Sequence, residues 1–155
     1  MTTMRRRLPL LAFAVVSLGC SAAPAGPDKT LSARTYPHQT VEPAILSFFG
    51  DVTTVTVPAS ARVGESVQIT ATSFGGGCVS DGGTEASVSG LVADVRPLRA
   101  ENAHPNAVCT MELRIFVHTA VVQFSEPGDA LVRVTGIERP GDTPFVVERR
   151  LTVLP

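Results

Sequence analysis

Met111-Glu112-Leu113-Arg114-Ile115-Phe116-Val117-His118, followed directly by Thr119-Ala120-Val121-Val122-Gln123-Phe124, is the stretch whose reading decides the fold. Apolar residues at 111, 113, 115 and 117 alternate with Glu112 and Arg114. A second alternation runs through Ala120, Val122 and Phe124, with Gln123 between. Period two is the signature of a strand with one face buried, because successive side chains point to opposite faces. The stretch is therefore read as two strands, 110–117 and 119–125, with His118 at their junction.

The same period extends outward in both directions. Val55 and Val57, then Val67, Ile69 and Ala71, then Val132 and Val134, then Leu151 and Val153 mark further strands, with Thr56, Gln68, Thr70, Arg133 and Thr152 on the alternate face. Pro58 to Ser60, Gly64-Glu65, Gly75-Gly76-Gly77, Asp81-Gly82-Gly83, Pro127-Gly128-Asp129 and Pro140-Gly141-Asp142 punctuate the runs as turns. Strands are expected near 44–49, 52–57, 65–73, 84–89, 91–97, 110–117, 119–125, 130–137 and 145–153, with the first two together forming one broken edge strand. No amphipathic helix is visible after residue 20. Short β-branched runs separated by such turns predict an all-β fold, an antiparallel β-sandwich of seven to nine strands. Residues 44–155 are the size of one domain.

The N-terminus reads differently. Arg5, Arg6 and Arg7 precede the apolar run Leu8 to Leu18, and small Gly19 precedes Cys20. A run this short falls well below the roughly 20 residues that span a hydrocarbon core, so the segment reads as an export signal and not as a membrane helix. From Ser21 to about Thr40, Pro24, Pro27 and Pro37 stand among small and polar residues, which predicts a partly extended linker.

The phrase Ser17-Leu18-Gly19-Cys20 resembles the lipobox of bacterial lipoproteins. The resemblance implies cleavage before Cys20, a diacylglycerol on its sulfur and an acylated amino group. It divides the chain into a lipoprotein signal peptide at 1–19, a lipidated cysteine and linker at 20–43, and a β-sandwich at 44–155. Ser21, directly after the cysteine, implies transfer to the outer membrane if the cell has one. The expected location is thus the bacterial cell envelope, facing the periplasm or the exterior.

Three cysteines are an odd number for an exported chain. With Cys20 lipidated, Cys78 and Cys109 are left as a pair, and an oxidising compartment favours their disulfide. A redox or metal role would call for closer spacing or for histidines at ligand distance along the chain, and neither is present.

A second resemblance concerns the fold. Val55-Thr-Val-Pro-Ala-Ser-Ala-Arg-Val-Gly-Glu-Ser-Val-Gln-Ile-Thr70 and Phe124-Ser-Glu-Pro-Gly-Asp-Ala-Leu-Val-Arg-Val134 look like the opening and the penultimate turn and strand of bacterial immunoglobulin-like domains. This implies an immunoglobulin-like topology. The chain lacks the tryptophan of antibody-type domains.

Removal of residues 1–19 takes away three of the 13 basic residues and none of the 14 acidic ones, leaving a formal charge of −4. That balance argues against a nucleic-acid partner and gives no electrostatic reason to lie on an anionic bilayer. The membrane partner is the one reached through the lipid. The irregular segments Ser73 to Gly83 and Pro97 to Asn106 carry the candidate binding residues Phe74, Gly75, Gly76, Gly77, Asn102 and His104, tied together if Cys78 and Cys109 bond. Gly75-Gly76-Gly77 lacks the lysine and helix of a phosphate loop. No G-x-S-x-G elbow accompanies the serines, so neither catalysis nor a cofactor is expected. The leading expectation is a noncatalytic envelope module that presents loops or a strand edge to a protein or a glycan. The alternative is a small ligand- or metal-binding protein using His104 and His118, with copper or zinc as the ion.

Overall fold

The structure, a computed structural model, describes residues 38–155. The expected signal segment, Cys20 and most of the expected linker lie outside the described residues. Within them the fold is all-β: eleven strands join in one curled hydrogen-bonded sheet, an arrangement consistent with a β-sandwich.

The long strands are β6 (Val67–Gly75), β7 (Val79–Ser89), β8 (Val92–Asn102), β9 (Arg114–Val122), β10 (Gly128–Arg139) and β11 (Thr143–Leu154). Short pieces precede them: β1 (Gln39–Pro43), β2 (Ile45–Phe48), β3 (Asp51–Val52), β4 (Val55–Thr56) and β5 (Ser60–Arg62). One part of the sheet carries β7 beside β8, β8 beside β10, and β10 beside β11. The other carries β9 and β4 on either side of β6. Strand β2 joins the parts by pairing with both β10 and β6.

The expected antiparallel pattern holds for most ladders but not for all. β10 runs parallel to β8 and to β2, and β11 parallel to β5. β8 and β10 come to lie side by side because the intervening strand, β9, crosses to pair with β6, and only such a crossover can make neighbours parallel. The linker also ends earlier than expected, since Gln39–Pro43 is already strand β1, paired with the far end of β8 from Gln39↔Asn102 to Pro43↔Leu98.

Alternation explains the core. In β6 the residues at 67, 69, 71, 73 and 75 are buried, and in β10 those at 130, 132 and 134 are. Phe124, Leu46, Ile69, Val67, Val95, Val132, Val134 and Val153 fill the space between the layers, each at most 2% exposed. Burial of each such side chain contributes about 1.5–3 kcal/mol.

The strand pair expected at 110–125 is a single strand, and this is the main correction to the sequence reading. β9 keeps one phase throughout: His118, Ala120 and Val122 point inward, and Phe124 continues the phase beyond the strand end. Leu113, Ile115 and Val117, read as core, stand outside at 58%, 64% and 62% exposure, and Met111 is fully exposed. The physical reason is that His118 is buried, so no break in phase is needed at that position.

Two other irregular segments are more regular than expected. Asp81, Gly82 and Gly83 lie inside β7, which shifts register between Asp81 and Gly83. Pro97 to Asn102 lie inside β8, held by β1 on one side and β7 on the other.

Candidate functional site

Among the described residues, a cleft lies at the end of the fold where the chain enters β1. It encloses about 450 Å3 and is lined by Ile45, Phe48 and Val79, by Gly75 and Gly76, by Thr110 to Leu113, and by Arg99, Glu101 and Arg139. That volume falls within the range of small-ligand sites.

The disulfide builds one wall. Cys78 and Cys109 are bonded, with their Cα atoms 5.0 Å apart, and so fix the turn after β6 to the segment before β9. Gly77 N–H donates to the Thr110 carbonyl at 3.3 Å, and a side chain on Gly77 would meet the Thr110 backbone at 2.7–2.8 Å. Glycine at this position is a matter of space, because two backbones pass in contact. On the other side of the staple, Asn102 N–H donates to the Cys78 carbonyl, and Ala103 N–H to that of His38.

The floor carries a charge in a core position. Arg99 continues the inward phase of Ala93, Val95 and Pro97 along β8. Its side chain is 6% exposed, pairing with Glu42 at 2.6 Å and Glu101 at 3.3 Å. Its Nε is buried without a partner, which leaves one donor unsatisfied beside the cleft. Such a donor costs about 1–3 kcal/mol when unmade. Because two carboxylates already balance the guanidinium, the floor carries no net positive charge to draw an anion.

Phe48 forms part of the opposite wall, its ring 6.0 Å from that of Phe74 and 4.8 Å from exposed Phe49. Of the sequence-derived candidates, Gly75 and Gly76 line the cleft, Phe74 backs it through Phe48, and Gly77 and Asn102 anchor the staple. His104 lies in the loop beyond β8: its backbone N–H donates to the Asn102 side chain, its Nδ1 accepts from Asn106, and its ring meets that of His38 edge-on at 4.9 Å.

His118 has different neighbours, so the two histidines of the metal alternative do not share partners. Its Nε2 is 2.7 Å from Ser73 Oγ, and its Nδ1 lies 3.2 Å from Asp81 Oδ1, off the line that a hydrogen bond requires. Burial holds the imidazole below its ordinary value of 6.5, outweighing the Asp81 charge and the Gly83 carbonyl, which favour the charged form. The order serine, histidine, aspartate is that of a hydrolytic triad. Here, however, Ser73 and His118 are 1% and 2% exposed, which closes the hydroxyl to any substrate. What the trio does is join three strands. β7 and β9 have no ladder between them, and Asp81 reaches from the irregularity in β7 to His118 on β9, which in turn bonds to Ser73 on β6. Bulges re-aim side chains in this way. Among the described residues no group of three or more metal-ligating side chains converges.

Ser73, Asp81 and Arg99 were not singled out from the sequence. The available signal was phase: Ser73 follows Val67, Ile69 and Ala71, and Arg99 follows Val95 and Pro97, each two residues further on. A polar residue at an inward position marks either a satisfied network or a site.

The fold and the cleft thus define an all-β domain with a disulfide-framed, mainly apolar recess floored by a buried arginine. The chain matches no family model, no curated protein and no solved structure.

Proposed function

We propose that the protein is a lipid-anchored, noncatalytic binding module of the bacterial cell envelope, which engages its partner through the cleft beside the Cys78–Cys109 staple. The anchor reading rests on Arg5 to Arg7, the apolar run and the Ser17-Leu18-Gly19-Cys20 phrase. An immunoglobulin-like topology is part of the proposal, on the strength of the Val55 to Thr70 and Phe124 to Val134 phrases. The observation that carries the binding role is that the staple borders a recess of small-ligand size whose walls include Phe48, Met111 and Leu113. Rigid scaffolds commonly hold binding segments in this way.

Two measurements test it. Intact mass of protein extracted from membranes should show a lipid increment that Cys20→Ala removes; an unmodified Cys20 refutes the anchor. A photoreactive residue at Leu113, at the cleft, should form adducts in intact cells, whereas one at Val146 on β11 should not. Equal labelling at both positions would mean that the cleft is not the binding surface.

A further inference from the structure

We infer that the partner of this end of the domain is the surface of the membrane itself: the apolar rim of the cleft dips into the lipid interface. The inference rests on the anchor reading above and names the partner of the same site.

The rim is unusually apolar for exposed surface. Met111 is 105% exposed, Phe49 is 73% and Leu113 is 58%. Phe49 abuts Phe48, and Phe48, Met111 and Leu113 line one cleft, so the apolar tips from the β2–β3 turn and from the segment before β9 gather at a single mouth. Isolated exposed apolar residues are ordinary, but clustered ones mark an interaction surface.

The point where the chain enters says what covers it. The His38 carbonyl accepts from Ala103, Gln39 pairs with Asn102, Asn102 N–H donates to Cys78, and Cys78 is bonded to Cys109. The N-terminal segment therefore leaves from beside the staple, at the end that bears the rim. A tether from Cys20 that joins the domain at this end makes the rim the part of the domain nearest the attachment point and leaves it free to reach the bilayer.

The charges at this end pair among themselves: Glu112 with Arg114 at 2.8 Å, Arg139 with Asp142 at 2.8 Å, and Arg99 with Glu42 and Glu101. Docking is then driven by apolar area, not by anionic headgroups, and is insensitive to salt.

The chain contains no tryptophan, so a single introduced one reports without background. Met111→Trp and Leu113→Trp place it on the rim, and Val146→Trp places it on β11. Each full-length protein, as extracted from membranes, is reconstituted into neutral phosphatidylcholine vesicles with and without brominated acyl chains. Emission from positions 111 and 113 is expected to shift to the blue and to lose most of its intensity to the brominated lipid at low and high salt, while that from position 146 is unchanged. No quenching at the rim, or equal quenching at all three positions, overturns the inference. A blue shift at 111 that grows with protein concentration in the absence of vesicles overturns it in favour of a second copy of the chain. The intact mass of the extracted protein reads the anchor separately: an unmodified Cys20 removes the anchor reading, whereas rim quenching reports docking whichever way that result falls.

Discussion

His118 is the residue on which the sequence reading and the structure part. A histidine between Val117 and Thr119 looks like an interruption, yet it is as deeply buried as Ala120 and Val122 on the same face because Ser73 supplies a partner at 2.7 Å. Its burial has a thermodynamic consequence. With the folded value below 6.5, the unfolded chain binds more protons in the window beneath that value. The stability His118 confers is therefore fully present above about 6.5 and is lost as pH falls below it. Urea unfolding followed from neutral to mildly acidic pH should show a falling midpoint in the parent, and a flatter dependence in His118→Gln. Identical slopes would mean that the imidazole is not held neutral. Replacing Ser73 by Ala should cost about 1–3 kcal/mol at neutral pH, the penalty for leaving the buried Nε2 unpartnered, as read by denaturant unfolding.

At the scale of the element, β9 has an inner face of Phe116, His118, Ala120 and Val122 and an outer face on which Ile115, Val117 and Val121 stand exposed. Val117→Lys should therefore move the unfolding free energy by no more than about 0.5 kcal/mol, the usual limit for surface changes. Val122→Lys, which forces an unpaired charge between the layers, should cost several kcal/mol and abolish cooperative unfolding. The reverse ranking would restore the two-strand reading with Val117 inside. The seam beside β9 is the other consequence of this strand. It is closed by the disulfide and by the contact of Asp81 with His118 instead of by a ladder, so amide exchange should be faster along the β7 edge facing β9 than along the edge that pairs with β8.

For the whole molecule the staple is the dominant single cross-link. A loop of 31 residues closed by Cys78 and Cys109 removes roughly 4 kcal/mol of unfolded-state entropy on the chain-entropy account. Domains of this size are stable by only about 5–15 kcal/mol. Chemical denaturation of Cys78→Ser/Cys109→Ser, or of the parent under reducing conditions, should show a loss of about that size, with the β10–β11 ladder retained. A loss below about 1 kcal/mol would mean that the seam holds without it. The packed layers set a second test: Phe124, 1% exposed, should cost about 3–5 kcal/mol when replaced by Ala.

The strand content, the single core and the pairing of Cys78 with Cys109 were legible in the sequence, because each depends on local or arithmetic signals: period-two alternation, glycine and proline turns, and a cysteine count. β6, β10 and β11 fall where alternation places them, and the core carries Val67, Ile69, Val132, Val134 and Leu151 as expected. The phase of β9 was not legible. Alternation says that a strand has two faces but not which is buried, and that choice is made by the neighbouring strand, here by Ser73, which meets His118 diagonally across the β6–β9 ladder. The cleft likewise belongs to tertiary structure alone, since Phe48, Val79, Arg99, Met111 and Arg139 come from five separate segments, and only the curl of the sheet and the staple bring them to one mouth. Local periodicity thus determined which elements form, while the long-range contacts that decide which faces meet were left to the fold.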